Sequence, residues 1–365
     1  MGKLFFFLVF VFCLSGSLQN EEKNSGAPFV VPRTFRGTLV NKTKVLNGTQ
    51  APSPLPEMKL FSNSTAEYLR GALSTQVIPS IYLLVVIFGV PANIGILFTL
   101  ASKIRKVSSA ILYCSLAVSD LFLLISLLFK AQYHLLGNHW ALGEAACRVV
   151  TACFYGNLYC SAHTLACISI KRYLAVVHPF MYKSLPKRMC TAWVTLGVWV
   201  VFGAAIIPEL LIQQTYRIPE IDRITCHDIL PLDDKSHSFL LYYNLFLTLL
   251  CLLVPLVVTV VCYARIIFEL KQSHHDWTTY IRASSLMFVI FLVCFTPAGV
   301  LHFLHYVKLF RDGTESLYVN FNVAVCLCCL HACLDPFLFL LMSKSAGSKS
   351  YSRTFTNGKT LSISV

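Results

Sequence analysis

A few groups of residues in this 365-residue chain have types and spacing suited to chemistry. The segment "VVPRTFRG", Val30 to Gly37, joins an apolar pair, a proline and an arginine. Proline disfavours helix at Val31 and presets its own dihedral, so the segment meets a protease cleft extended and at reduced ordering cost. An arginine presented this way fits the acidic specificity pocket of a trypsin-like serine protease. Cleavage is expected between Arg33 and Thr34, with Arg36 as the competing site. Asp120 in "SLAVSDLFLL" and Asp335 in "CLDPF" stand inside apolar runs, with Asn93 and Ser161 as polar company. Ionisable residues at that depth are costly, so they are read as functional. No nucleophile–base pair stands out and no His/Cys group has zinc-ligand spacing. The chain is therefore not read as an enzyme, and no cofactor is expected.

The elements that must hold these residues are membrane helices. Hydrophobic residues make up 56% of the chain and charged residues only 13%, with a mean hydropathy of +0.66. A soluble domain cannot hide that much apolar surface. Residues 1–17 carry Lys3, the apolar run Leu4–Leu14 and then Ser15-Gly16-Ser17, the pattern of a secretory signal. Three sequons follow at Asn41, Asn47 and Asn63, which marks residues 34–75 as an extracellular, glycosylated tail. Apolar segments near 76–101, 109–135, 147–177, 188–211, 239–269, 281–306 and 316–342 each reach the ~20 residues a helical span needs. The expected fold is an all-α membrane protein, a seven-transmembrane helix bundle over 76–342. Lys103, Arg105, Lys106, Lys183, Lys187, Arg188, Lys271 and Arg282 fall on the side opposite the sequons, with the 343–365 tail. The formal charge of +13 thus orients the chain with its N-terminus outside and its tail in the cytoplasm. It is not read as a nucleic-acid footprint. Of fifteen cysteines most lie inside spans. Cys147 and Cys226 fall outside the cell, where a bridge would pin the second outer loop over the bundle.

The order of landmarks then becomes specific. Asn93, Leu116-Ala117-Val118-Ser119-Asp120, Arg172-Tyr173, Trp199, Pro255, Phe291-x-x-Cys294-x-x-Pro297 and Asp335-Pro336 resemble those of rhodopsin-class G-protein-coupled receptors. Within that class "YHLLGNHWALGE", "FYGNLYCS", "CHDILPLDD" and the Leu304-His305-Tyr306 end of the sixth span are similar to the proteinase-activated receptors. The resemblance implies a plasma-membrane receptor that couples to a heterotrimeric G protein through phospholipase C and calcium, in coagulation or platelet responses. It also implies a sodium pocket at Asp120, Ser161 and Asp335, although His331 and Ala332 replace the usual Asn and Ser. Arg172 and Tyr173 would form the G-protein switch. Here Lys171 replaces the usual acid, and Phe339 lacks the hydroxyl that bridges helices in the family's active form. Phosphorylation of the Ser/Thr-rich tail would recruit arrestin, and a second receptor of the family is a further expected partner besides lipid.

Read through that resemblance, residues 18–33 are a propeptide and the cut makes Thr34-Phe35-Arg36-Gly37 a tethered ligand. Apolar-x-Pro-Arg before a small residue suits thrombin, with other trypsin-like proteases as alternatives. The new amine and Phe35 would be captured by His227, Asp228, Tyr155, His305, Tyr306 and Tyr318. About forty residues separate Thr34 from the first span, so a flexible chain would reach roughly 35 Å and hold the ligand at ~1 mM. Two other readings are open. The outer half could serve as a protease-binding co-receptor with weak signalling, or the bundle could be a transporter, which would need a continuous polar path.

Overall fold

The computed structural model describes residues 35–39, 55–60, 63–102, 107–231, 246–247, 249–272, 278–312, 317–346, 350–354 and 360–364. The expected leader 1–17, the segment 18–33, and Arg33, Thr34, Asn41 and Asn47 lie outside the described residues, as do the side chains of Phe35, Arg36, His305 and Tyr306.

Helices dominate. After a short helix α1 (Asn63–Arg70) and a π-helical turn, Leu73–Val77, come α2 (Ile78–Ala101), α3 (Ser109–Leu135) and α4 (Gly143–Val177). The short α5 (Pro179–Ser184) precedes α6 (Lys187–Leu211). A second π turn, Leu249–Leu253, leads into α7 (Val254–Lys271), followed by α8 (Thr278–Asp312), α9 (Tyr318–Cys328) and α10 (His331–Ala346). The last expected span is thus divided at Cys329-Leu330. Five of the described helical segments are long and apolar enough to cross a membrane by length and composition. The 35-residue α4 is less apolar because it buries Asn157, Ser161, Thr164 and Ser169.

These helices are apolar on most sides, so burial rather than periodicity reveals which face is inward. Phe98, Trp193 and Val293 point outward at 78%, 65% and 63% exposure, while Asn93, Asp120, Asn157 and Asp335 are buried. Polar groups inside and hydrocarbon outside is the arrangement a bilayer selects. The chain packs α3 against α2 and α4, α4 against α6 and α7, and α8 against α9 and α10. At Gly89 an added Cβ would sit 2.7 Å from Leu124 Cδ2, so the absent side chain lets α2 and α3 approach.

The end of the bundle that carries the Cys147–Cys226 bridge is covered by strands. The hairpin β3 (Thr215–Ile218) and β4 (Arg223–Cys226) is followed by β5 (Ile229–Pro231). Ahead of the bundle lie β1 (Phe35–Leu39) and β2 (Met58–Leu60). The order β2-β1-β5 puts β1 between an antiparallel and a parallel neighbour. For the described part of residues 34–75 the expectation of a flexible leash is corrected. Phe35–Leu39 and Met58–Leu60 are paired strands and Asn63–Arg70 is helical, because extended backbone beside an existing strand satisfies its own hydrogen bonds. Asn63 is exposed at the start of α1. In the tail, strands β6 (Ser350–Thr354) and β7 (Thr360–Ser364) pair antiparallel.

Glu144 fastens the loop to the bundle. Its Oε1 accepts from Arg148 Nε at 2.6 Å and Gln214 N at 2.8 Å, and its Oε2 from Thr215 N at 2.8 Å and Thr215 Oγ1 at 2.5 Å. Burial raises the Glu144 pKa, but these donors outweigh it and hold the carboxyl below its usual range. A depressed folded value stabilises above the unfolded pKa, and that stability is lost as pH falls through the folded one. Thermal unfolding scanned from about pH 6 to pH 3 should fall more steeply for the native chain than for Glu144→Gln. Parallel curves would refute the role.

Candidate functional site

The strand pair β1–β5 is the centre of the outer site. Register sets Phe35 opposite Ile229, Arg36 opposite Leu230 and Gly37 opposite Pro231. On its other side, Gly37 faces Leu60 and Leu39 faces Met58. Met58 and Ile229 are fully buried, and a Cβ at Gly37 would overlap the Met58 side chain and come within 3.0 Å of Ile229 Cγ2.

Below the sheet the loop turns into the bundle. The Cys147–Cys226 disulfide, Cα–Cα 5.8 Å, ties β4 to α4. His227 follows with φ 67°, a left-handed backbone that aims its ring inward. The ring lies 5.3 Å from that of Tyr155, and Nδ1 is 3.8 Å from Glu209 Oε2. Asp228 accepts a 2.7 Å hydrogen bond from Tyr133 OH. Burial, and after it the Asp228 carboxylate, pushes the Tyr68 hydroxyl up to about 12. Tyr68 OH accepts from Asn322 Nδ2 at 3.3 Å, linking α1 to α9. Lys130 Nζ lies 4.6 Å from the centroid of the Phe154 ring. Tyr318 is 1% exposed, in the same packed cluster as Met58, Tyr155 and Ile229.

Deeper, Asp120 Oδ1 accepts from Asn157 Nδ2 and Ser161 Oγ, each at 3.3 Å. His331 Nδ1 donates to Cys328 O at 2.6 Å, leaving Nε2 3.6 Å from Asp120 Oδ1. Ligand atoms of Asp120, His331 and Asp335 lie within 4.8 Å of one another. Asp120 Oδ2 and Asp335 Oδ2 are buried without a hydrogen-bond partner among the described residues. Carboxylate and hydroxyl oxygens with unused lone pairs fit a small hard cation. His331 adds a softer nitrogen to that set. Asn93 Nδ2 donates to Ala332 O at 2.7 Å and so joins α2 to the last helix.

On the side of the bundle away from the strands, Arg172 follows Lys171 instead of an acid. It donates to Tyr263 OH at 3.0 Å and to Tyr113 OH. The Tyr113 ring meets Phe339 edge-on at 4.8 Å, so the hydroxyl missing from Phe339 is replaced by an aromatic contact. Tyr173 OH sits 3.0 Å from His178 Nε2.

A family model described as "7 transmembrane receptor (rhodopsin family)" matches residues 92–339. Human proteinase-activated receptor 3 is 40% identical over 349 residues, covering 92% of this chain and 93% of its own length. The rat receptor 3 is 42% identical over 283 residues, 78% of this chain and 77% of its own. Receptor 1 of Xenopus laevis is 35% identical over 318 residues, 84% and 74%. This chain belongs to the proteinase-activated receptors. The receptor is a multi-pass membrane protein that couples protease action to a G protein and signals rather than catalyses.

Of the expected outer residues, the structure brings His227 against Tyr155 and puts Tyr318 in the same cluster. Asp228 already accepts the Tyr133 hydroxyl, a residue that sequence reading passed over. Glu209 and Lys130 were also missed. Each is a lone charge in an apolar run, "IIPELL" and "LLFKAQ", the same signal that singled out Asp120.

Proposed function

We propose that the receptor is switched by cleavage of the Arg33–Thr34 bond, which turns Thr34-Phe35-Arg36-Gly37 into a tethered ligand that binds by strand addition to the second outer loop. The supporting observation is β1 itself, already the middle strand between β2 and β5. Backbone pairing gives such a mode its affinity, and pockets for alternate side chains give it selectivity. The register begins with Phe35 opposite Ile229, and we propose that in the cleaved chain it extends by one position, which would set residue 34 opposite Asp228. The new amine would then meet a carboxylate whose Oδ2 takes the Tyr133 hydroxyl and whose Oδ1 has no hydrogen bond among the described residues. Before the cut that nitrogen is an uncharged amide, so the switch is the appearance of one positive charge.

In this reading residues 1–17 are a removed signal and 18–33 a released propeptide. Residues 34–75 are extracellular with glycans on Asn41, Asn47 and Asn63, and 343–365 form a cytoplasmic tail open to phosphorylation and arrestin. His227 and Tyr155 would border the amine site, and Tyr318, His305 and Tyr306 are proposed as its further contacts. Arg172 leaves Tyr113 when α8 swings out and enters the G-protein interface, raising calcium through phospholipase C. A platelet or coagulation setting and thrombin as the protease complete the proposal. N-terminal sequencing after thrombin and after trypsin tests the cut, and it should read Thr-Phe-Arg-Gly. Calcium release should vanish in Arg33→Ala, while the cleaved product of Arg36→Ala should still begin at Thr34. Release unaffected by Arg33→Ala would refute the proposal.

A weakly signalling co-receptor is the second reading, favoured by Lys171 and Phe339 at the two switch positions. Protease binding to cells with no calcium response would select it.

Sodium at Asp120, Ser161 and Asp335 would hold α3, α4 and α10 together in the resting state. Exchanging His331 for asparagine gives the pocket an all-oxygen lining, so sodium should raise the unfolding temperature of His331→Asn more than that of the native chain. Equal responses would argue against an ion at this place.

A further inference from the structure

A cavity of about 170 Å³ opens at the cytoplasmic ends of α3, α4 and α6, beneath the short helix α5. Its wall is hydrocarbon and thiol, with Leu112, Cys167, Ile170, Leu174, Cys190 and Val194. Ile170 and Val194 are 39% and 46% exposed, so the cavity is open on the side that faces lipid. Lys171 and Lys187 line the same space. Lys171 Nζ reaches only hydroxyls, Ser108 Oγ at 2.8 Å and Thr191 Oγ1 at 3.2 Å. Lys187 Nζ sits 4.5 Å over the Tyr182 ring. Among the described residues no carboxylate pairs with either ammonium group.

Two cations without counter-charges among the described residues, at the mouth of an apolar slot, call for a ligand with an anionic head and a hydrocarbon body. A soluble anion would leave the slot unused. A zwitterionic lipid would bring its own cation toward the lysines. An anionic headgroup in the cytoplasmic leaflet matches both parts, and basic residues near that surface attract it. Had position 171 kept the acid usual in this receptor class, the head would be repelled.

We propose that this cavity holds one anionic phospholipid of the cytoplasmic leaflet, its phosphate between Lys171 and Lys187 and an acyl chain along Ile170 and Val194. The site bridges α4 and α6 beside Arg172 and is independent of how the outer ligand docks.

The test uses full-length receptor in nanodiscs of phosphatidylcholine with a minority of phosphatidylserine, with retained lipids identified by native mass spectrometry. The native receptor should retain phosphatidylserine selectively, and Lys171→Gln with Lys187→Gln should cut that retention about twentyfold. Val194→Trp fills the slot while keeping both charges, and it should lower retention as strongly. Thermal unfolding of each variant shows that the bundle is intact. Equal retention of the two lipids by the native receptor overturns the site. So does undiminished retention by Val194→Trp, which would mean diffuse surface attraction, or displacement of the lipid by soluble glycerophosphoserine, which would mean the head alone is bound.

Discussion

Replacing Gly37 by valine should abolish the calcium response to protease while leaving cleavage at Arg33 intact. The strand β1 has no room for a side chain there, because Met58 and Ile229 close over it from both neighbours with no exposed surface. Overpacking a filled site costs about 1–3 kcal/mol, or roughly 5- to 150-fold in occupancy, and valine brings more bulk than alanine. The loss should therefore be graded, Gly37→Ala before Gly37→Val. Trimming the obstacle is the control. Gly37→Ala combined with Met58→Ala should recover most of the response, since residues in contact give non-additive effects. A fully active Gly37→Val receptor would show that this strand pairing plays no part in activation.

Removing the outer disulfide should have an effect of similar size by another route. Cys147 and Cys226 are 79 residues apart and close a long loop, a constraint typically worth about 2–5 kcal/mol. The bridge also sets where the chain leaves β4, directly before the left-handed His227 and Asp228. With Cys147→Ser and Cys226→Ser, surface labelling should fall. The receptors that do reach the surface should be cut normally yet give little calcium. Normal calcium release per surface receptor would mean that the loop holds its shape without the bridge.

Much of the architecture was legible in the chain before any coordinates. Long apolar runs and buried charges such as Asp120 are signals that one residue or one window carries. The same holds for prolines, since Pro91, Pro208, Pro297 and Pro336 all lie inside helices. What stayed hidden depends on partners far away in sequence. Nothing in "FRGTL" alone distinguishes a paired strand from a free tail, because its partners, β2 and β5, come from residues 58–60 and 229–231. The arginine cage is similar. Sixteen tyrosines offer no reason to prefer Tyr113 and Tyr263 until the helices are packed. Tyr133 meets Asp228 across 95 positions for the same reason.

The interior place of β1 bears on pharmacology. Its sheet continues past β2, where Glu57 bridges Arg217 and Pro56 O accepts from Arg217 N at 3.0 Å, and β1 is paired with β5 over residues 35–37 and with β2 over residues 37–39. A free agonist peptide would have to pry open two ladders at once and evict a resident that is covalently attached. Mimetics of Thr-Phe-Arg-Gly should therefore show slow onset and poor potency on the uncut protein, and screening on chains lacking residues 1–54 should reveal far stronger agonists.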